Sequence, residues 1–112
     1  MLKKTERLTK QEFDTYFKTG RRVHGELLQL IYSPASQFHG AAVAGKKVSK
    51  KAVDRNKKRR QLYNALYQLK KDKDLQGVYI CIAKPPAAAA TYTELKTAIA
   101  DTISRLWNSR VE

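Results

Sequence analysis

Apolar residues along this 112-residue chain recur at two different spacings, and the switches between them mark out the elements. Phe13, Tyr16 and Phe17 stand at i, i+3 and i+4, the spacing of one helical face. Thr9 and Glu12 precede them as a T-x-x-E capping box, and Gly20 follows where a helix would stop. Residues 23–32 (VHGELLQLIY) change to a period of two. Leu28, Leu30 and Tyr32 share one side of this extended stretch; Leu27, Gln29 and Ile31 share the other. Gly25 is a place where such a strand bends into two pieces. Residues 33–40 (SPASQFHG) carry turn chemistry, and 41–48 (AAVAGKKV) predict a second strand.

From Ala52 to Lys71 there is neither Gly nor Pro, which predicts a long helix closed by the polar KDKDLQG. Val78 to Lys84 (VYICIAK) is rich in β-branched and aromatic residues and predicts a strand. Pro85 and Pro86 make PPAAAA a connector. Thr91 and Glu94 form a second capping box, and Leu95, Ile99, Ile103, Leu106 and Trp107 lie on the stripe of a last helix. Helices and strands mixed in so short a chain predict one domain spanning residues 1–112. Its class is α/β (an α+β sandwich), with a central mixed sheet and about three helices.

The long helix carries two patterns at once. With Ala52 at zero and steps of about 100° per residue, Leu62, Leu66 and Leu69 fall between about 260° and 320°. Arg55 and Lys58 fall in or beside that sector, where burial would be costly. Either their long stems run along the core edge, or the first half of the helix overhangs the sheet and stands in solvent; with four consecutive basic residues at 57–60, the overhang is expected. Arg59, Tyr63, Asn56, Tyr67 and Arg60 fall between about 340° and 80°, so cations, an amide and two phenols share one exposed face.

Charge sharpens this picture. Lys and Arg total 23 against 10 acids, a net charge of +13, and nine of the fifteen residues 46–60 (KKVSKKAVDRNKKRR) are basic. Such a density strains the compact state and attracts a polyanion. Lys46, Lys47, Lys50 and Lys51 lead into the helix, and Lys57, Arg59 and Arg60 continue along it. Cations neutralise phosphates and release counterions, Asn56 donates and accepts, and Tyr63 can stack on a base. Neither a helix-turn-helix nor a zinc-finger spacing is present, which turns the reading from DNA toward RNA.

Other chemistry is thin. Cys81 is the only cysteine, so neither an internal disulfide nor a cysteine-based zinc site can form. Glu12 and Glu94 serve capping boxes, Asp54 sits among cations, and nothing clusters with His24 or His39. Catalytic residues, metal ligands and a protein-held cofactor are not expected. MLKKTERLTK has no apolar core behind its charges, and no run approaches the ~20 apolar residues of a membrane span. The expectation is a soluble, cytoplasmic chain with no membrane partner.

AVDRN-KKRR resembles the signature helix of the protein subunit of bacterial ribonuclease P, A-V-x-R-N-x-x-(K/R)-R-x-x-R. Ala52, Val53, Arg55, Asn56, Arg59 and Arg60 match it, and Lys46, Lys47, Val48 and Ser49 resemble its lysine-rich lead-in. LTKQEFDTYFKTG and IAKPPAAAATYTEL resemble the flanking stretches, so the likeness covers nearly the whole chain. Tyr63 stands where the family has its final Arg, Lys58 replaces a commonly apolar residue, and one extra residue sits between Val48 and Ala52. The resemblance implies a compact domain with a left-handed crossover. It implies a single protein copy that joins a catalytic RNA and assists removal of the 5′ leader of precursor tRNA, with the RNA and its magnesium performing the hydrolysis. It also implies a cleft for the single-stranded leader beside the first helix, for which Phe13, Phe17 and Tyr32 are the candidates. A structural RNA-binding module, such as a ribosomal protein or RNA chaperone, is the alternative reading of the charge.

Overall fold

Thr9 caps the first helix as its spacing requires: the Glu12 N–H donates to Thr9 Oγ1 (3.2 Å) and the Thr9 N–H to Glu12 Oε1 (2.9 Å). The computed structural model describes residues 6–111, with side chains as far as Trp107. Helix α1 (Lys10–Thr19) ends at Gly20, where an added Cβ would lie 2.4 Å from Ile31 Cγ2 and 2.7 Å from the Tyr16 carbonyl oxygen. Only glycine lets the chain turn so close to the sheet at that point.

The extended stretch 23–32 is a hairpin rather than one strand. β1 (Arg21–His24) and β2 (Leu28–Ser33) run antiparallel, with Arg21 opposite Tyr32 and His24 opposite Gln29. The Gly25 N–H closes the turn on the Leu28 carbonyl at 2.8 Å. β3 (Phe38–Val43) departs from the sequence reading at both ends. Phe38, His39 and Gly40, expected in a turn, open the strand, and it stops at Val43 instead of reaching 48. The reason is tertiary. β4 (Gly77–Ala83) offers a parallel ladder from Phe38–Gly77 to Val43–Ile82, and Phe38 stacks on Tyr79 at 5.7 Å. That pairing overrides the local turn preference.

The sheet has four strands in the order β1-β2-β4-β3, antiparallel except for the β3–β4 pair. A parallel neighbour needs a crossover, and α2 (Ala52–Lys73) supplies it. α2 runs two residues beyond its expected end and closes at Asp74, in the left-handed conformation (φ 51°), with the Asp74 N–H on the Lys70 carbonyl. A short 3₁₀ turn (Pro85–Ala89) then leads to α3 (Tyr92–Val111).

The two faces of the sheet are covered unequally. On one, Leu28, Leu30, Tyr32, Tyr79 and Cys81 pack against Leu62, Leu66 and Leu69 of α2 and Leu95, Ile99, Ile103 and Leu106 of α3. Each fully buried aliphatic side chain there stabilises by about 1.5–3 kcal/mol relative to exposure. On the other face Ile31, Ala41, Val78 and Ile80 are covered by half-buried Phe13 and Tyr16 of α1, with Leu8 and Ala35 beside them, and α1 has no fully buried residue.

Candidate nucleic-acid interface

The basic loop is built around one apolar residue. Val48 is buried and its N–H bonds to the Gly45 carbonyl at 3.0 Å, while Lys46, Lys47, Lys50 and Lys51 on either side of it are exposed. Burying Val48 pins the loop and turns the lysines outward. The helix that follows has no side-chain cap at its N-cap residue, Lys51. Ser49 Oγ instead accepts the Lys51 N–H (3.2 Å) and donates to Asp54 Oδ2 (3.3 Å).

Arg55 completes this junction. Its Nη1 donates to the Ser49 carbonyl (3.1 Å) and the Lys50 carbonyl (2.9 Å), so the guanidinium folds back and clamps the loop. Lys58 also turns inward, with Nζ donating to the Ala90 carbonyl ahead of α3. Burial, and then the neighbouring Lys57 charge, hold its pKa below the usual lysine value. The expected free overhang of the first half of α2 is therefore corrected on its inner side: Arg55 and Lys58 have protein partners there. Backbone carbonyls of the loop and of the segment before α3 accept the cations where the apolar core ends. A recess of about 260 Å³ lies between these elements, lined by Val48, Ser49, Asp54, Lys57, Lys58 and Ala88.

The outer side matches the expectation better. Asn56, Lys57, Arg59 and Arg60 are exposed, and so is Val53 at 75%, a lone apolar side chain among them. Among the described residues the ion pairs are Lys70–Glu6, Lys96–Asp72 and Arg105–Asp101, so none neutralises a cation of residues 46–60. Tyr63 and Tyr67 are half-buried against the main core rather than free. The Arg7 guanidinium lies 5.5 Å from the Tyr63 ring centroid, and Lys71 Nζ lies 5.2 Å from that of Tyr67.

Of the residues expected to form an aromatic cleft, two lie together and one does not. Phe13 and Phe17 stack on α1 at 5.7 Å, Phe13 half-buried against the sheet and Phe17 exposed. Arg22 of β1 lies 4.6 Å over the Phe17 ring and donates from Nη2 to the Phe17 carbonyl (2.6 Å). Tyr32 does not belong with them. Strand alternation places it on the opposite face, 7% exposed, against Tyr79 and Trp107, each at 5.2 Å. A residue on the same side as Leu28 and Leu30 cannot reach α1, and that parity was readable from the alternation itself. Cys81 is a core residue whose thiol is pushed up to about 12 by burial, which makes it inert as a nucleophile.

A closed core on one sheet face, a cationic loop-helix corner and an aromatic strip on the other face define a small basic α+β domain of the RNA-binding kind. A family model described as Ribonuclease P matches residues 2–107. The ribonuclease P protein component of a Nitratiruptor species is 34% identical over 98 residues, covering 88% of each chain. That of Bacillus cereus is 30% identical over 115 residues, covering 99% of each. The solved ribonuclease P protein of Staphylococcus aureus, at 19% identity, shares the fold with a TM-score of 0.73 over 90% of this chain and 94% of that one. The chain belongs to the ribonuclease P protein family: it is of the kind that forms the protein component of a tRNA-processing ribonucleoprotein, with the ribonuclease P RNA as its partner. No helix of the described residues is long and apolar enough to cross a membrane.

Proposed function

We propose that the loop 46–51 and the outer face of α2 grip the ribonuclease P RNA, while the α1 side of the sheet takes the single-stranded 5′ leader of precursor tRNA. The observation that carries this reading is the set of exposed cations at Lys46, Lys47, Lys50, Lys51, Lys57, Arg59 and Arg60, which no carboxylate of the described residues pairs with. A folded chain gains nothing from leaving such a cluster unneutralised, and an RNA backbone releases its counterions on meeting it. Asn56 and the exposed Val53 extend the same surface with hydrogen-bonding and apolar contact. Arg55 acts one step back, holding the loop in shape.

The leader half of the reading rests on Phe13 and Phe17, with Arg22 over the Phe17 ring. Stacked rings beside cations hold single strands without demanding a sequence. One copy of the protein serves one RNA in this arrangement.

Hydrolysis belongs to the RNA. Among the described residues no three His, Cys, Asp or Glu converge as a metal-ligand set, so the protein's own donors do not fit a catalytic metal. Magnesium bound by the RNA supplies that chemistry; the protein binds, orients and screens charge. The test is reconstitution: purified protein added to ribonuclease P RNA at low magnesium should raise the rate of leader removal. The gain should fall when Arg59 and Arg60 are both changed to Ala. A rate unchanged by adding the protein defeats the proposal.

A further inference from the structure

Arg7 is remote from the cationic helix in sequence and beside it in space. Its guanidinium carbon stands 5.5 Å from the Tyr63 ring centroid, and Arg7 is exposed. The segment that delivers it is held at two neighbouring points. Glu6 pairs with Lys70 on α2, and Arg7 forms a parallel β-bridge with Gly40 on β3. The N-terminal segment thus crosses the β3 edge and reaches α2 in a fixed place.

That place is where the helix runs out of charge. From Gln61 to Leu69, α2 contains no Lys or Arg. Tyr63 stands at i+4 from Arg59 and i+3 from Arg60, so the three share one face of the helix. A phenol alone cannot neutralise a phosphate. A guanidinium lying on its ring can, because cation–π contact orients the plane and leaves the outward N–H groups in their fork geometry. We infer that Arg7, seated on Tyr63, is a further RNA-contacting residue that extends the α2 cationic surface by one turn and binds a backbone phosphate there. The ring restricts the arginine in advance, which lowers the ordering cost of the contact. The inference rests on the proposed role of the outer α2 face in holding RNA.

The experiment is salt-dependent binding of the full chain to ribonuclease P RNA, with thermal melting as the folding control. Arg7→Ala should make the log–log salt slope shallower by roughly 0.7 to 0.9, the loss of one phosphate contact. Raising salt about fourfold then weakens the wild type about threefold more than the variant. Tyr63→Phe keeps the ring and should keep the slope. Tyr63→Ala should lose what Arg7→Ala loses, and the double variant no more than either alone. Tyr63→Arg in the Arg7→Ala background should restore the slope by putting the cation on the helix itself. If Arg7→Ala binds with the wild-type slope while Arg59→Ala does not, Arg7 lies outside the interface and the α2 reading survives. If Arg59→Ala and Arg60→Ala also leave the slope unchanged, the α2 reading itself fails. Additive losses in the double variant would show that the ring does not seat the arginine, and would overturn the inference.

Discussion

From Leu62 onward α2 buries Leu62, Ala65, Leu66 and Leu69 against the sheet and α3, whereas from Ala52 to Arg60 it has no buried residue. The two halves share one uninterrupted helix, and the same angular sector faces inward in both. What changes is the partner. Where the sheet ends, Arg55 and Lys58 occupy the inward sector and donate to the carbonyls of Ser49, Lys50 and Ala90. The first half of α2 is thereby fastened by hydrogen bonds on its inner side and left bare and cationic on its outer side. α3 makes the contrast plain: its Leu95, Ile99, Ile103 and Leu106 are all essentially fully buried, so its stripe is core along most of its length.

Cutting into the buried side of the second half should cost stability and nothing else. Leu66 is fully buried, so Leu66→Ala should destabilise the fold by about 2–5 kcal/mol, read by chemical denaturation. The RNA-binding salt slope of the molecules still folded should match the wild type. A changed slope would mean that the buried side of α2 takes part in binding as well as folding.

The first half holds a finer division, between a cation that supports the surface and one that forms it. Arg55→Ala removes the clamp on the Ser49 and Lys50 carbonyls and should lower stability by about 1 kcal/mol. It should also weaken RNA binding by misplacing the loop lysines. Arg59→Ala touches an exposed side chain; stability should stay within about 0.5 kcal/mol, with the salt slope shallower by roughly 0.7 to 0.9. Paired melting and binding curves decide the matter. Identical behaviour of the two variants would erase the distinction between clamp and surface.

How much of this was legible follows from how local each cause is. The capping boxes at Thr9 and Thr91, the α3 stripe and the cationic corner rest on residues within one or two turns of each other, and the structure places them where their spacing does. Phe38–Gly40 carry local turn chemistry, and their strand exists only through β4, which lies far along the chain. Tyr32 has the residue type of a cleft aromatic, but its alternation with Leu28 and Leu30 puts it on the opposite side. The inward sector of Arg55 and Lys58 is legible from the helical period, but their acceptors are not, since these are backbone carbonyls and any residue supplies those. Arg7 was invisible for the same kind of reason: nothing in ERLTK announces that it meets Tyr63.

The smallest effect tests the inner fastening from the side of pH. Burial lowers the Lys58 pKa, so the unfolded chain keeps its proton on this amine at a pH where the folded chain has released it. The unfolded state then binds more protons, and stability rises with pH across that interval. The window closes near 10.5, the usual lysine value, where both states are neutral. A neutral amine still donates to the Ala90 carbonyl, so the fastening outlasts the charge. Lys58→Met keeps the stem and removes the titration. The stability of the wild type relative to Lys58→Met should therefore climb as pH approaches 10.5 and stay flat at neutral pH. Denaturation series for both proteins at matched salt give that difference directly. A difference that is flat throughout would mean Lys58 swings free in solvent, and the first half of α2 would then be an overhang after all.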